Sequence, residues 1–113
     1  MARVVLTPTE VDRFGVVPPT PVNSDSTNQQ QVANDGKVDV TVNNADASTR
    51  NVTFWLDGIG ANDGATVQSK TYPITAGQTK SFYGFPVSLY GTTLRIDTDN
   101  VLLKLAVEHK VSP

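Results

Sequence analysis

The chain has 113 residues, with 9 Lys+Arg against 11 Asp+Glu, one His and no Cys. That length suits one domain with a modest core. The slight negative charge argues against the basic stripe of a nucleic-acid binder, and the missing cysteines exclude disulfides, thiolate metal sites and Cys nucleophiles.

Residues 1–31 differ from the rest. Val4-Val5-Leu6 is followed by Pro8, Pro18, Pro19 and Pro21, four of the seven prolines. Pro18-Pro19-Thr20-Pro21 favours an extended polyproline path. The run Asn23-Ser24-Asp25-Ser26-Thr27-Asn28-Gln29-Gln30-Gln31 has no apolar face, so it cannot offset its ordering entropy through a core of its own. The segment reads either as a disordered leader or as an arm that docks on its own domain or a partner. Val4, Val5, Leu6, Val11, Phe14, Val16 and Val17 are too apolar for a solvated tail and favour the docked arm. The expectation is an extended arm over 1–31, mobile when free and ordered on a neighbour, attached to a folded domain over 32–113.

Residues 32–113 read as strands and turns. Val38, Val40 and Val42 alternate with polar residues, the period of a half-buried strand, and Asp35-Gly36 before them is turn chemistry. Residues 51–56 form a second strand, with Val52, Phe54 and Leu56 on one face and Trp55 on the other. The loop at 57–64 is glycine-rich. Strands are expected at 67–74, 79–83, 94–97 and 101–107, with turns at 75–78 and 97–100 and a single helical turn at 87–90. Leu103, Leu105 and Val107 form the inward set of the last strand, while Leu102 and Ala106 suggest cover on its other face. No stretch longer than about a turn carries a 3.6-residue apolar period. The fold class is therefore all-β, a small antiparallel β-sandwich (jelly-roll-like or Ig-like) or a small barrel. Val40, Val52, Phe54, Leu94, Ile96, Leu103 and Leu105 are its expected core.

Sites for chemistry are scarce. The 57–64 loop lacks the ligand order and terminal Glu of an EF-hand, so it reads as unliganded. Asp97 and Asp99 fall in a polar turn, and His109 reads as a surface histidine between Glu108 and Lys110. No nucleophile elbow or phosphate loop is present. No catalytic residue, cofactor or metal is expected, and no apolar run exceeds three residues, so no membrane span is expected either. The aromatics carry more. Seven of eight lie between Phe54 and Tyr90, and Trp55 and Tyr83 fall opposite the apolar face. They cover either a second core or an intersubunit patch, where Trp and Tyr are frequent anchors.

Several short motifs recur in order along the chain: Met1-Ala2-Arg3-Val4-Val5-Leu6-Thr7-Pro8-Thr9, Val32-Ala33-Asn34-Asp35-Gly36, Ile74-Thr75-Ala76-Gly77 and Tyr83-Gly84-Phe85-Pro86. Together they resemble small head proteins of tailed bacteriophages, of the capsid decoration (cement) or minor structural kind. The resemblance implies a non-enzymatic virion component, made in the host cytoplasm and bound to the capsid surface. Its implied partners are the major capsid protein and further copies of itself, as a homotrimer, with no nucleic acid and no membrane. The interface residues expected on this reading are Val4, Leu6, Val11, Phe14, Val16, Val17, Trp55 and Tyr83. The alternatives are a tail or head–tail connector component, or a carbohydrate-binding β-sandwich with Trp55 and Tyr83 as a stacking platform.

Overall fold

The computed structural model describes residues 3–11, 17, 20–56 and 68–110. In chain order the elements are β1 (Val4–Val5), β2 (Thr9–Val11), β3 (Val22–Asn23), β4 (Gln30–Ala33), β5 (Val38–Asn44), β6 (Arg50–Leu56), β7 (Gln68–Ile74), β8 (Thr79–Phe82), a one-turn helix α1 (Val87–Tyr90), β9 (Thr93–Thr98) and β10 (Leu103–Lys110). Phe14, Val16, the 57–64 loop and the end at 111–113 lie outside the described residues.

Two sheets result. The first has the order β1-β4-β9-β6-β7 and the second β2-β10-β5-β8, with β3 also pairing β10. Every pairing is antiparallel except β1 with β4 and β2 with β10. Both parallel pairs are made by the arm. The fold is thus all-β, mostly antiparallel and built of two sheets. Its Cα radius of gyration, 13.9 Å, matches the ~13 Å of a compact domain near this length.

Alternation drives strand formation. β5 presents Val38, Val40 and Val42 inward without exposure, and Lys37-Asp39-Thr41-Asn43 are the polar positions between and beside them. β6 buries Val52, Phe54 and Leu56, and β10 buries Leu103, Leu105 and Val107. All seven residues expected in the core are buried in one cluster drawn from both sheets. Ala106 is buried as well, so β10 is covered there on its second face.

Phe54 is the centre of the aromatic packing. Its ring lies 5.1 Å from Phe82 of the second sheet, 5.1 Å from Phe85 and 6.1 Å from Tyr72 of β7. Phe85 meets Tyr90 of α1 edge-on at 5.0 Å. Five of the aromatics between 54 and 90 therefore build this interior, which leaves Trp55 and Tyr83 outside it.

Buried amides fasten the turns at both ends of β5. Asn34 Nδ2 donates to the carbonyls of Phe85 and Gly91, while its Oδ1 accepts from Gly36 N. Asn44 Nδ2 donates to the carbonyls of Ser48 and Ile74, and its Oδ1 accepts from Asp46 N. Gly36 sits at φ 90°, the left-handed region in which the Asp-Gly turn needs glycine.

Several expectations are corrected. Asp97 ends the expected 94–97 strand and pairs with Arg3, but the expected 97–100 turn does not begin there: β9 runs on through the buried Thr98. The turn falls at 99–102, so the last strand starts at Leu103 and runs on to Lys110, leaving Val101 exposed. The arm does not stand off in its described residues: β1, β2 and β3 pair with this chain's own sheets. Residue 31 itself lies within β4.

Candidate interaction surface

The arm runs from the edge of the first sheet, at β4, to the edge of the second, at β10. Val4 N donates to Gln29 O at 2.9 Å and Leu6 N to Gln31 O at 2.8 Å. Arg3 anchors the start by donating to Gln30 O and pairing with Asp97. Leu6, half-buried, packs against the core cluster where the two sheets part.

This path leaves a groove of about 560 Å³ lined by Val4, Leu6, Val22, Ser24, Val101 and Leu105, among others. A second groove of about 270 Å³ shares Leu6, Val22 and Leu105 and adds Val5 and Ala106. Around them Val4 is 41% exposed, Val5 68%, Val22 61% and Val101 45%. Scattered apolar side chains are ordinary on a surface, but here Val4, Val22 and Val101 gather on the first groove, while Val5, the next residue of β1, lines the second with Val22.

The groove's polar wall explains how the Asn/Ser/Gln run is ordered. Asp25 Oδ1 accepts from Thr27 N and Asn28 N at 2.9 and 2.8 Å, an Asx-type turn. Those two N–H groups, Asn28 first, hold the Asp25 carboxyl below the usual range. Gln30 is buried: its Nε2 donates to Ile96 O at 2.6 Å and its Oε1 accepts from Asp25 N at 2.9 Å. Gln29 adopts φ 65° and bonds both backbone groups of Thr98 through its side-chain amide. Amide-to-backbone bonds here replace the apolar burial that the run lacks.

At the far end of the arm, His109 closes the core-facing row of β10 beside the buried Val38. Its Nδ1 lies 2.6 Å from Glu10 Oε2 on β2, and its Nε2 lies 2.7 Å from Asp35 Oδ2 in the β4–β5 turn. Two carboxylates on one ring favour the imidazolium and raise the His109 pKa above its ordinary value, Glu10 contributing most and Asp35 next. His109 in turn lowers the Asp35 pKa, helped by Lys37 N. Sequence reading missed this cluster because Glu10, Asp35 and His109 are far apart in the chain and no spacing links them.

The described members of the expected interface set lie at separate places; Phe14 and Val16 are outside the described residues. Val4 and Leu6 line the groove. Val11 is half-buried in β2, opposite Lys110, and Val17 is exposed. Trp55 lies on the outer face of the first sheet, half-buried, with the Arg95 guanidinium 5.0 Å over its ring. Its Nε1 is buried without a partner among the described residues. Tyr83, strongly exposed, follows β8 of the other sheet. Val22 and Val101, absent from the expected set, line the first groove; alternation could not find them because they flank turns.

Among the described residues, no group of three or more His, Cys, Asp or Glu is arranged to hold a metal, and no helix is long and apolar enough to cross a membrane. No family model, curated protein or solved structure matches this chain.

Proposed function

We propose that this chain is a structural virion protein of a tailed bacteriophage, binding the outer capsid surface as a decoration or cement protein. The observation that carries the reading is the exposed valines beside the arm: Val4, Val22 and Val101 on the first groove, with Val5 on the second. A cement protein works by covering surface across several coat subunits. Each contact is weak, and many sites on one lattice add through effective concentration. The resemblance of the ordered motifs to those of small phage head proteins points the same way, and a homotrimer is the proposed assembly.

The finer fold belongs to the same proposal: a β-sandwich of jelly-roll-like connectivity. β5 and β8 neighbour each other in one sheet while β6 and β9 neighbour each other in the other. Counting β3 to β10 as eight successive strands, the orders β3-β10-β5-β8 and β4-β9-β6-β7 match a jelly roll, whereas an Ig-like sandwich would pair β10 with β9 rather than with β5. The carbohydrate reading has less support, because Arg95 covers one face of the Trp55 ring and Tyr83 follows a strand of the opposite sheet.

The test is binding of the purified chain to capsid shells that lack it, with Val22→Asp and Val101→Asp beside the wild type. The reading expects saturable binding that raises the rupture temperature of the shell, and weakening by tenfold or more in each variant. Absence of wild-type binding, or binding indifferent to both substitutions, overturns it.

A further inference from the structure

Three separate elements meet on one imidazole. β2 brings Glu10, which is the in-register partner of His109 across the parallel pair. The β4–β5 turn brings Asp35, and β10 brings the ring itself. The three lie around a hollow of about 210 Å³ with Pro8, Ala33 and Asn34. β2 is three residues long and, among the described residues, pairs only with the end of β10. Besides its ladder, it is held there by the Glu10–His109 contact.

We propose that His109 is a proton-operated latch for the N-terminal arm: the imidazolium ties β2 and the β4–β5 turn to the end of β10, and loss of its proton frees β2. The reason is the donor count. An imidazolium donates from both nitrogens, so both carboxylates are satisfied. A neutral ring has one N–H, and its other nitrogen turns a lone pair toward a carboxylate oxygen less than 3 Å away. One carboxylate must then leave. Asp35 is also fixed by its Oδ1, which accepts from Lys37 N at 3.0 Å within a tight turn. Glu10 sits on a short edge strand and leaves at less cost.

The other charges nearby do not take over the role. Asp39 and Glu108, cross-strand partners, and Lys110 alternate to the opposite face from His109. There Lys110 Nζ pairs with Asp39 at 3.1 Å. Lys37 adjoins Asp35 and supports its ionisation. Among the described residues, the charged groups that contact the His109 ring are Glu10 and Asp35, both acidic. Because the folded pKa of His109 is raised, the latch is closed below the ordinary histidine value and opens as pH rises through the folded value. Below the carboxylate range the contact to the β4–β5 turn is lost as Asp35 takes up a proton.

The test uses the full chain, 15N-labelled, followed by NMR from about pH 5 to about pH 10 across the histidine range. The His109 ring signals should titrate with a midpoint above about 6.5, the ordinary value. Hydrogen-exchange protection at Glu10 and Val11, corrected for intrinsic rate, should fall tenfold or more with the same midpoint, while that of Val40 and Val42 holds. Glu10→Gln should bring the ring midpoint down and loosen β2 at pH ~6. His109→Gln should make β2 protection independent of pH across that range. Protection of β2 that stays flat through the wild-type titration, or that falls together with Val40, overturns the latch. So does an unchanged midpoint in Glu10→Gln.

Discussion

Replacing Phe54 by Ala tests the strand register and the shared core together. The ring is 1% exposed and is packed by Phe82, Phe85 and Tyr72 at 5.1, 5.1 and 6.1 Å. Truncating a buried Phe costs ~3–5 kcal/mol through lost transfer energy and the cavity left behind. The aromatic contacts place Phe54 toward the upper end, since each such pair adds ~0.5–1.5 kcal/mol beyond burial. The walls of the cavity belong to strands of two sheets, so collapse around it is restricted. At ~0.05–0.15 kcal/mol per residue, a chain of this length has roughly 6–17 kcal/mol in total, so the loss takes about a fifth of it or more. The assay is urea unfolding followed by far-UV circular dichroism, with Thr53→Ala as the control. Thr53 lies on the opposite face, where its hydroxyl meets that of Thr71 at 2.9 Å, and its removal should cost under ~1 kcal/mol. Phe54→Ala should lower the urea midpoint with m unchanged, and lower Tm by ~12–20 °C at ~4 °C per kcal/mol. A Phe54→Ala loss below ~1 kcal/mol, or a Thr53→Ala loss of equal size, would refute the register.

Gln30→Ala should cost ~1–3 kcal/mol, because Ile96 O and Asp25 N lose their side-chain partner; thermal melts check it, and an unchanged Tm contradicts the proposed ordering of the 24–30 turn. Deleting residues 1–22 should leave the β signature of the far-UV spectrum while capsid attachment weakens tenfold or more, ~1.4 kcal/mol or above. An unfolded spectrum would make the arm part of the core, and unaltered attachment would remove it from the interface. In acid, Asp25, Asp35 and Asp46 have pKa values lowered respectively by the Asn28 and Thr27 amides, by His109 and by Arg50. Their stabilisation is present above the unfolded value of 3.8 and is lost as pH falls through the lower folded values. Tm should therefore hold down to about pH 5 and decline below about pH 4; a decline centred above about pH 5 would assign acid sensitivity to other groups.

The core was legible because it is written in period two. Val38-Val40-Val42, Val52-Phe54-Leu56 and Leu103-Leu105-Val107 each name their inward face, and nothing non-local is needed to read them. The arm and its groove were not legible for a different reason. Gln29 and Gln30 are ordered through side-chain amides that reach Thr98 and Ile96, and a count of apolar residues cannot see that. Asp97 looked like a turn residue because its neighbours are polar, yet its place in β9 is supported by Arg3, far away in sequence. Trp55 was correctly read to the outer face, but its cover by Arg95 depends on the β6–β9 register, which local sequence does not encode. His109 is the extreme case: its partners come from β2 and the β4–β5 turn, and only the folded topology brings them to one ring.

The central claim, a cement role on the capsid exterior, is tested most directly by imaging purified particles at subnanometre resolution and counting this chain in them. The account predicts density on the outer shell, repeated over the lattice in hundreds of copies, with the Val4–Val22–Val101 side turned to the major capsid protein. A dozen copies or fewer at one vertex would make the chain a connector or tail component, and its absence from the particle would contradict a structural role altogether.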